Sequence, residues 1–315
     1  MIVFSKALLI FLLFHSLLFV CVFGQVDTSL SVEPAGEGSV NLTLFGGEGT
    51  FWTLQRSIDL SDWETVTSAE QVEIGDEGRL SFNLALTELP KVFYRAIEDD
   101  GIPAAFKLFD ERMEMYIDGD YMVIESDNVP NHPSPYFPNS DSRYEAYNGS
   151  NGNYNQNPNS IDEQTFVYRI PINPSEATVK SNTNLGSIGI AINGVSLFNQ
   201  YAGPNNQPLT NEINSFDQYN GHPQRTGVYH YHFEPIYLSS AHGREAFLGF
   251  LLDGFPVYGP EENGETLTSD DLDEYHGHFG STPEYPDGIY HYHFTEDDPY
   301  LNVGQFFGTP GTQTN

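Results

Sequence analysis

Cysteine is all but missing from this chain: the only one, Cys21, sits inside an apolar stretch at the N-terminus. Beyond that stretch, disulfides, thiolate metal ligands and cysteine nucleophiles are therefore excluded. Export without disulfides suits a bacterial secreted or envelope protein better than a small disulfide-stapled ectodomain. Basic residues are scarce as well, 12 against 44 acidic ones, for a net charge of −32. Such a surface offers no positive field to neutralise phosphates, which argues against nucleic acid as a partner; it attracts cations instead. Helical periodicity is also lacking, and only Ser269 to Glu274 suits a turn or two of helix. There is no phosphate loop, no Rossmann glycine pattern, no Gly-x-Ser-x-Gly and no His-Glu-x-x-His, so nucleotide enzymes and the common hydrolases are disfavoured.

The apolar N-terminus itself is MIVFSKALLIFLLFHSLLFVCVFGQ, with Lys6 ahead of a run from Ala7 to Phe23 and a small residue at Gly24. This pattern predicts a signal peptide, residues 1–24, cleaved after Gly24. The expected destination is the cell envelope or the exterior, with no membrane span after cleavage. The run is long for a signal and short for a span, so an uncleaved anchor is the alternative.

What remains, within 315 residues, is long enough for two modest cores. Residues 26–98 alternate apolar and polar positions (Val40-Leu42-Leu44, Leu80-Phe82-Leu84-Leu86) between glycine-rich turns, the period of half-buried strands. Their phrases WTLQRSIDLSDWETV and VFYRAIED resemble the short β-sandwich modules of secreted bacterial proteins. DDGIP at 99–103 reads as a join. Beyond it, residues 104–300 form a second domain, and 301–315 are expected to be a C-terminal tail. Around Asp118-Gly119-Asp120 the alternation predicts a hairpin, and residues 128–165, rich in Asn, Ser, Pro and Tyr, predict a long loop. The fold class expected is mainly β: a small sandwich followed by a larger all-β, partly irregular domain.

The second domain carries the chemistry. GVYHYHF at 227–233 returns as GIYHYHF at 288–294, and each copy follows a Gly-His pair, Gly221-His222 and Gly277-His278. Strand alternation puts His230 and His232 on one face, with Tyr229 and Tyr231 on the other; His291 and His293 share a face in the same way. Same-face imidazoles suit zinc, copper, nickel or iron, and with no thiolate any site must be built from nitrogen and oxygen. The two YHYH strands are expected to lie close together around a common site. The competing reading is that Tyr and His alternate merely as a packing device. Asp253, in the turn of LLDGFPVYG, is placed as a general base or oxygen ligand, or as a turn residue capping its own backbone. Asp217 is placed as the partner that orients His222.

The segments SDNVPNHPSPYFP (126–138), GSIGIAINGVSLFN (186–199), SFDQYNGHPQRTGVYHYHFEP (215–235), LGFLLDGFPVYGP (248–260) and GIYHYHFTED (288–297) stand in the order found in the YHYH-domain family of secreted bacterial proteins, which this chain resembles. The resemblance adds His132, in its SDNVPNH segment, to the candidate ligands. Where many members carry cysteine shortly before Gly-His, this chain has Tyr219 and Tyr275, so no thiol role carries over. The expectation is a divalent transition metal, zinc or copper, held by His230, His232, His291, His293, His222, His278 and His132. Alternatives are a metal-dependent extracellular hydrolase with Asp253 or Asp217 as base, and a metal-free structural or carbohydrate-contacting module whose tyrosines form the working face; besides a metal ion, an extracellular polymer or protein is the partner expected.

Overall fold

A computed structural model describes residues 7–13, 29–36, 39–46, 50–66, 72–85, 91–99 and 101–315. The chain divides into two compact units, Met1–Pro103 and Ala104–Asn315. The first is built of two sheets. One joins Ser29–Gly36, Ser39–Phe45 and Arg79–Ala85; the other is centred on Phe51–Ser57 and Lys91–Asp99. Val40, Leu42 and Leu44 alternate inward as their sequence requires, and pack with Trp52, Leu54, Ile74, Leu84, Tyr94 and Ala96. Ala7–Leu13, within the expected leader, pairs along Lys91–Ile97 as an edge strand. Cys21, Gly24 and Leu86 lie outside the described residues.

In the second unit, Glu114–Asp118 and Tyr121–Ser126 make the expected hairpin, extended by Phe166–Pro171 and, on its far side, Thr312–Thr314. Residues 301–315 are thus not a tail: this strand and Gly308 are built into the unit. Residues 128–165 contain no regular element, yet Asn128, Val129, His132, Ser134, Tyr136 and Phe137 are buried. Two side chains anchor this stretch by bonding backbone carbonyls elsewhere, Asn128 to Tyr229 and Tyr136 to Ser215. One α-helix, α1 (Ile236–His242), was not anticipated; Ser269–Asp271 forms only a 3-10 turn. Among the described residues no helix is long and apolar enough to cross a membrane.

The main sheet has eight strands: β1 (Ser187–Ala191), β2 (Ser196–Phe198), β3 (Gly221–Pro223), β4 (Tyr229–Tyr231), β5 (Phe247–Leu251), β6 (Pro256–Tyr258), β7 (Gly277–Gly280) and β8 (Ile289–His293). Their spatial order is β3-β4-β2-β1-β5-β6-β8-β7. The order is a mirrored repeat. Each half is a hairpin (β1–β2, β5–β6) whose second strand pairs in parallel with a YHYH strand, which in turn pairs antiparallel with a Gly-His strand. The halves meet where β1 and β5 pair antiparallel, Ile190 opposite Phe250. Because each unit has its own strands and core, residues 104–315 expressed alone are expected to give the β circular-dichroism spectrum of a folded domain. A random-coil spectrum for that piece would contradict the division.

Candidate metal centres

The alternation of YHYH decides which side of the sheet is core. Tyr229, Tyr231, Tyr290 and Tyr292 are at most 1% exposed. A buried ring of this size contributes on the order of 2 kcal/mol, so the tyrosine layer holds each strand in register. Their hydroxyls are all satisfied: Tyr229 donates to Asp217 (2.8 Å), Tyr290 to Asp273 (2.9 Å) and Tyr292 to Asp253 (2.7 Å). Tyr231 lies 2.7 Å from His132 Nε2 and accepts from Asn193 (3.1 Å). Asp217 and Asp273 also gather the backbone N–H groups two and four residues on, Tyr219 and Gly221 in one half, Tyr275 and Gly277 in the other. The recurring phrase is therefore Asp-x-Tyr-x-Gly-His. Its glycine has a steric reason, since a Cβ on Gly221 would collide with the Tyr229 ring and one on Gly277 with Tyr290.

The opposite face carries the imidazoles. His222 pairs across the ladder with His230, and His278 with His291, which puts each pair of Cβ atoms about 5 Å apart. His232 and His293 follow two residues along. In the first half, His222 Nε2 is 3.0 Å from His230 Nε2, which is 3.1 Å from His232 Nε2; Glu212 Oε1 is 3.4 Å from His222 Nε2. In the second, His278 Nε2 is 3.2 Å from His293 Nε2, and Glu262 Oε1 stands 3.5 Å from His278 Nε2 and 3.6 Å from His291 Nε2.

The tautomers follow from the other ring nitrogens. His230 Nδ1 donates to the Val228 carbonyl and His232 Nδ1 to that of Asn199; His291 donates to Ile289 and His293 to Gly259. His222 Nδ1 donates to Ser215 Oγ, whose own hydrogen goes to the Glu212 carbonyl. Each of these neutral rings presents a bare Nε2 lone pair to its cluster. In the first half, acceptor nitrogens 3.0–3.1 Å apart repel unless a proton or a cation stands between them. Burial works against the proton: it pushes His232 down to about 4 and His293 to about 3, and lowers His230 and His222 well below the usual histidine value. His291 Nε2 is buried with no hydrogen-bond partner at all. A tetrahedral ion with nitrogen ligands at 2.0–2.1 Å separates them by about 3.3–3.4 Å, close to the 3.0, 3.1 and 3.2 Å between neighbouring Nε2 atoms here.

A family profile described as "YHYH protein" matches residues 167–265 and 260–305, spanning both clusters. The second unit contains a YHYH domain, residues 167–305. No curated protein and no solved structure matches the chain. In this YHYH domain the eponymous histidines do not converge on the common site that the sequence predicts; they form two groups, Glu212-His222-His230-His232 and Glu262-His278-His291-His293. Five strand spacings separate β4 from β8, about 24 Å across a sheet, which no single ion can bridge.

Six of the seven histidines picked out from the sequence fall in these groups. His132 does not: its Nδ1 bonds the Pro133 carbonyl, and its Nε2 takes the Tyr231 hydroxyl on the tyrosine side. Ser215, not Asp217, orients His222. Asp217 and Asp253 are buried, and burial raises both to about 6. Their oxygens are taken by tyrosine hydroxyls, backbone N–H groups and, at Asp217, Ser134, and neither belongs to a histidine group. The two glutamates were missed. Glu212 sits on a 3-10 turn before β3, whereas Glu262 sits on the short strand Glu261–Glu262 after β6, so no shared spacing marks them.

Proposed function

We propose that this is an exported metal-binding protein whose YHYH domain holds two transition-metal ions, zinc or copper, one in each histidine group. The observation that carries this reading is the convergence of imidazole lone pairs fixed by Nδ1–H bonds to backbone carbonyls. Such bonds set ring orientation and raise ligand basicity around protein-bound metals. Three neutral nitrogens and one carboxylate form a donor set suited to zinc or copper(II), and the acidic surface favours cation encounter. Elemental analysis of the mature protein, purified without an affinity tag, is expected to give two equivalents of transition metal per chain. Protein free of metal after dialysis into buffer containing zinc or copper would overturn the reading.

Export is supported by Lys6, the apolar run to Phe23 and Gly24. The exported protein is expected to begin at Gln25 on N-terminal sequencing; a start at Met1 would contradict it.

Burial also sets the acid limit of binding. An exposed histidine site loses its ion as pH falls through about 6.5, because protons take the lone pairs. Here the lone pairs stay free until about 4 and 3 at His232 and His293. Metal content is expected to hold from about pH 7 to about pH 5 and to fall toward about pH 4. Half-loss near pH 6.5 would mean exposed ligands.

A further inference from the structure

The halves repeat their imidazoles but not what covers them. In the first half, Phe198 stacks on His230 with ring centroids 3.9 Å apart, and Phe216 lies against both His222 and His232, at 4.7 and 5.6 Å. A neighbouring cavity of about 260 Å³ has Phe216 in its wall but none of the three imidazoles. In the second half, the position of Phe198 is taken by Tyr258, which meets His291 edge-on at 5.2 Å while its hydroxyl turns away to Thr282 and Glu284. Leu272, one residue before Asp273, replaces Phe216, which stands one residue before Asp217. Among the described residues, no second ring covers the cluster. His278 keeps 29% of its side chain exposed against 2% for its counterpart His222. A cavity of about 240 Å³ opens directly onto His291 and His293.

Resting on the two-ion reading above, we propose that the ion at Glu262, His278, His291 and His293 takes a further, exchangeable ligand from this cavity, and that the ion at Glu212, His222, His230 and His232 does not. The occupant is a small neutral nitrogen or oxygen donor. Space for several non-hydrogen atoms is present, and the carboxylates of Glu245, Glu261 and Glu262 at the lining oppose an anion. With three imidazoles and a carboxylate already on the ion, this ligand is a fifth, and access for an exogenous ligand is what separates exchanging metal centres from structural ones. The covered cluster is then structural, and the open one is where this protein meets its small-molecule partner.

The test loads the full chain with cobalt(II) and titrates imidazole at neutral pH or above, following the visible absorption of the metal. The expected result is a saturable change in one of the two cobalt ions, with azide binding more weakly. The change should persist in His230→Ala/His232→Ala and be absent from His291→Ala/His293→Ala, each of which keeps one ion. Ser281→Trp, at an exposed residue lining the cavity, should keep both ions yet weaken imidazole by about tenfold or more. Both ions responding alike, neither responding, or an unchanged Ser281→Trp variant would overturn the assignment. Binding of fewer than two cobalt ions would instead sink the two-ion reading, and this inference with it.

Discussion

Replacing His230 and His232 together by alanine is expected to halve the bound metal, from two ions per chain to one, and to leave the second cluster filled. The variant removes two of the three imidazoles of one group and none of the other. A lone His222 and Glu212 cannot hold an ion tightly, since most of a tetrahedral donor set is gone. The fold should survive, because Tyr229 and Tyr231, which anchor the strand, point the other way and keep their partners. The cost is a packing defect against Phe198, on the order of 2–5 kcal/mol for a large side chain cut to alanine. The matching pair, His291→Ala with His293→Ala, should likewise remove one ion. Elemental analysis with circular dichroism distinguishes the outcomes: retention of both ions refutes the ligand assignment, and loss of both from either variant points to one shared site.

Stripping the metal should lower thermal stability markedly. At a free metal concentration near a thousand times Kd, each ion adds about 4 kcal/mol to the folded state. For a unit of this size, residues 104–315, one kcal/mol corresponds to roughly 2–4 °C, so each ion should contribute about 8–16 °C of Tm. The physical source is the set of facing lone pairs. Without a cation, the buried acceptors of the first triad, 3.0–3.1 Å apart, repel, and His291 Nε2 lacks a hydrogen bond. Calorimetry with and without a strong chelator measures the difference, and re-addition of zinc or copper should restore it. An unchanged Tm for a protein shown to have lost its metal would mean that the histidines are neutral packing units.

Much of this architecture is legible in the chain, and the exceptions have physical reasons. Alternation in Val40-Leu42-Leu44 and in both YHYH strands dictates which side chains share a face, and the structure places them so. The Gly-His pairs are legible as companions of those strands, though not the steric reason, which depends on a tyrosine lying across the ladder. The separation into two centres is a matter of strand order, which local periodicity does not fix. Its trace is nevertheless present: GIAINGVSLFN and GFLLDGFPVYG form a second repeat, about sixty residues apart like the YHYH copies, and these hairpins pair at the middle of the sheet. Glu212 and Glu262 could not be found by spacing, because each half supplies its carboxylate from a different local element. The helix Ile236–His242 escaped notice because seven residues hold too few turns to show a period. Residues 301–315 looked like a tail for want of a core pattern, yet Gly308 N–H bonds Asp253 and Phe307 N–H bonds the Tyr292 hydroxyl.

On the proposed reading, each imidazole triad encloses its own ion. Anomalous X-ray scattering at the absorption edge of the metal found by elemental analysis, from crystals of the mature protein, tests it most directly. Two peaks per chain are expected, one among the Nε2 atoms of His222, His230 and His232 and one among those of His278, His291 and His293, each about 2.0 Å from its nitrogens. A map with no peak at either triad, or with a single ion bound elsewhere in the chain, would contradict it.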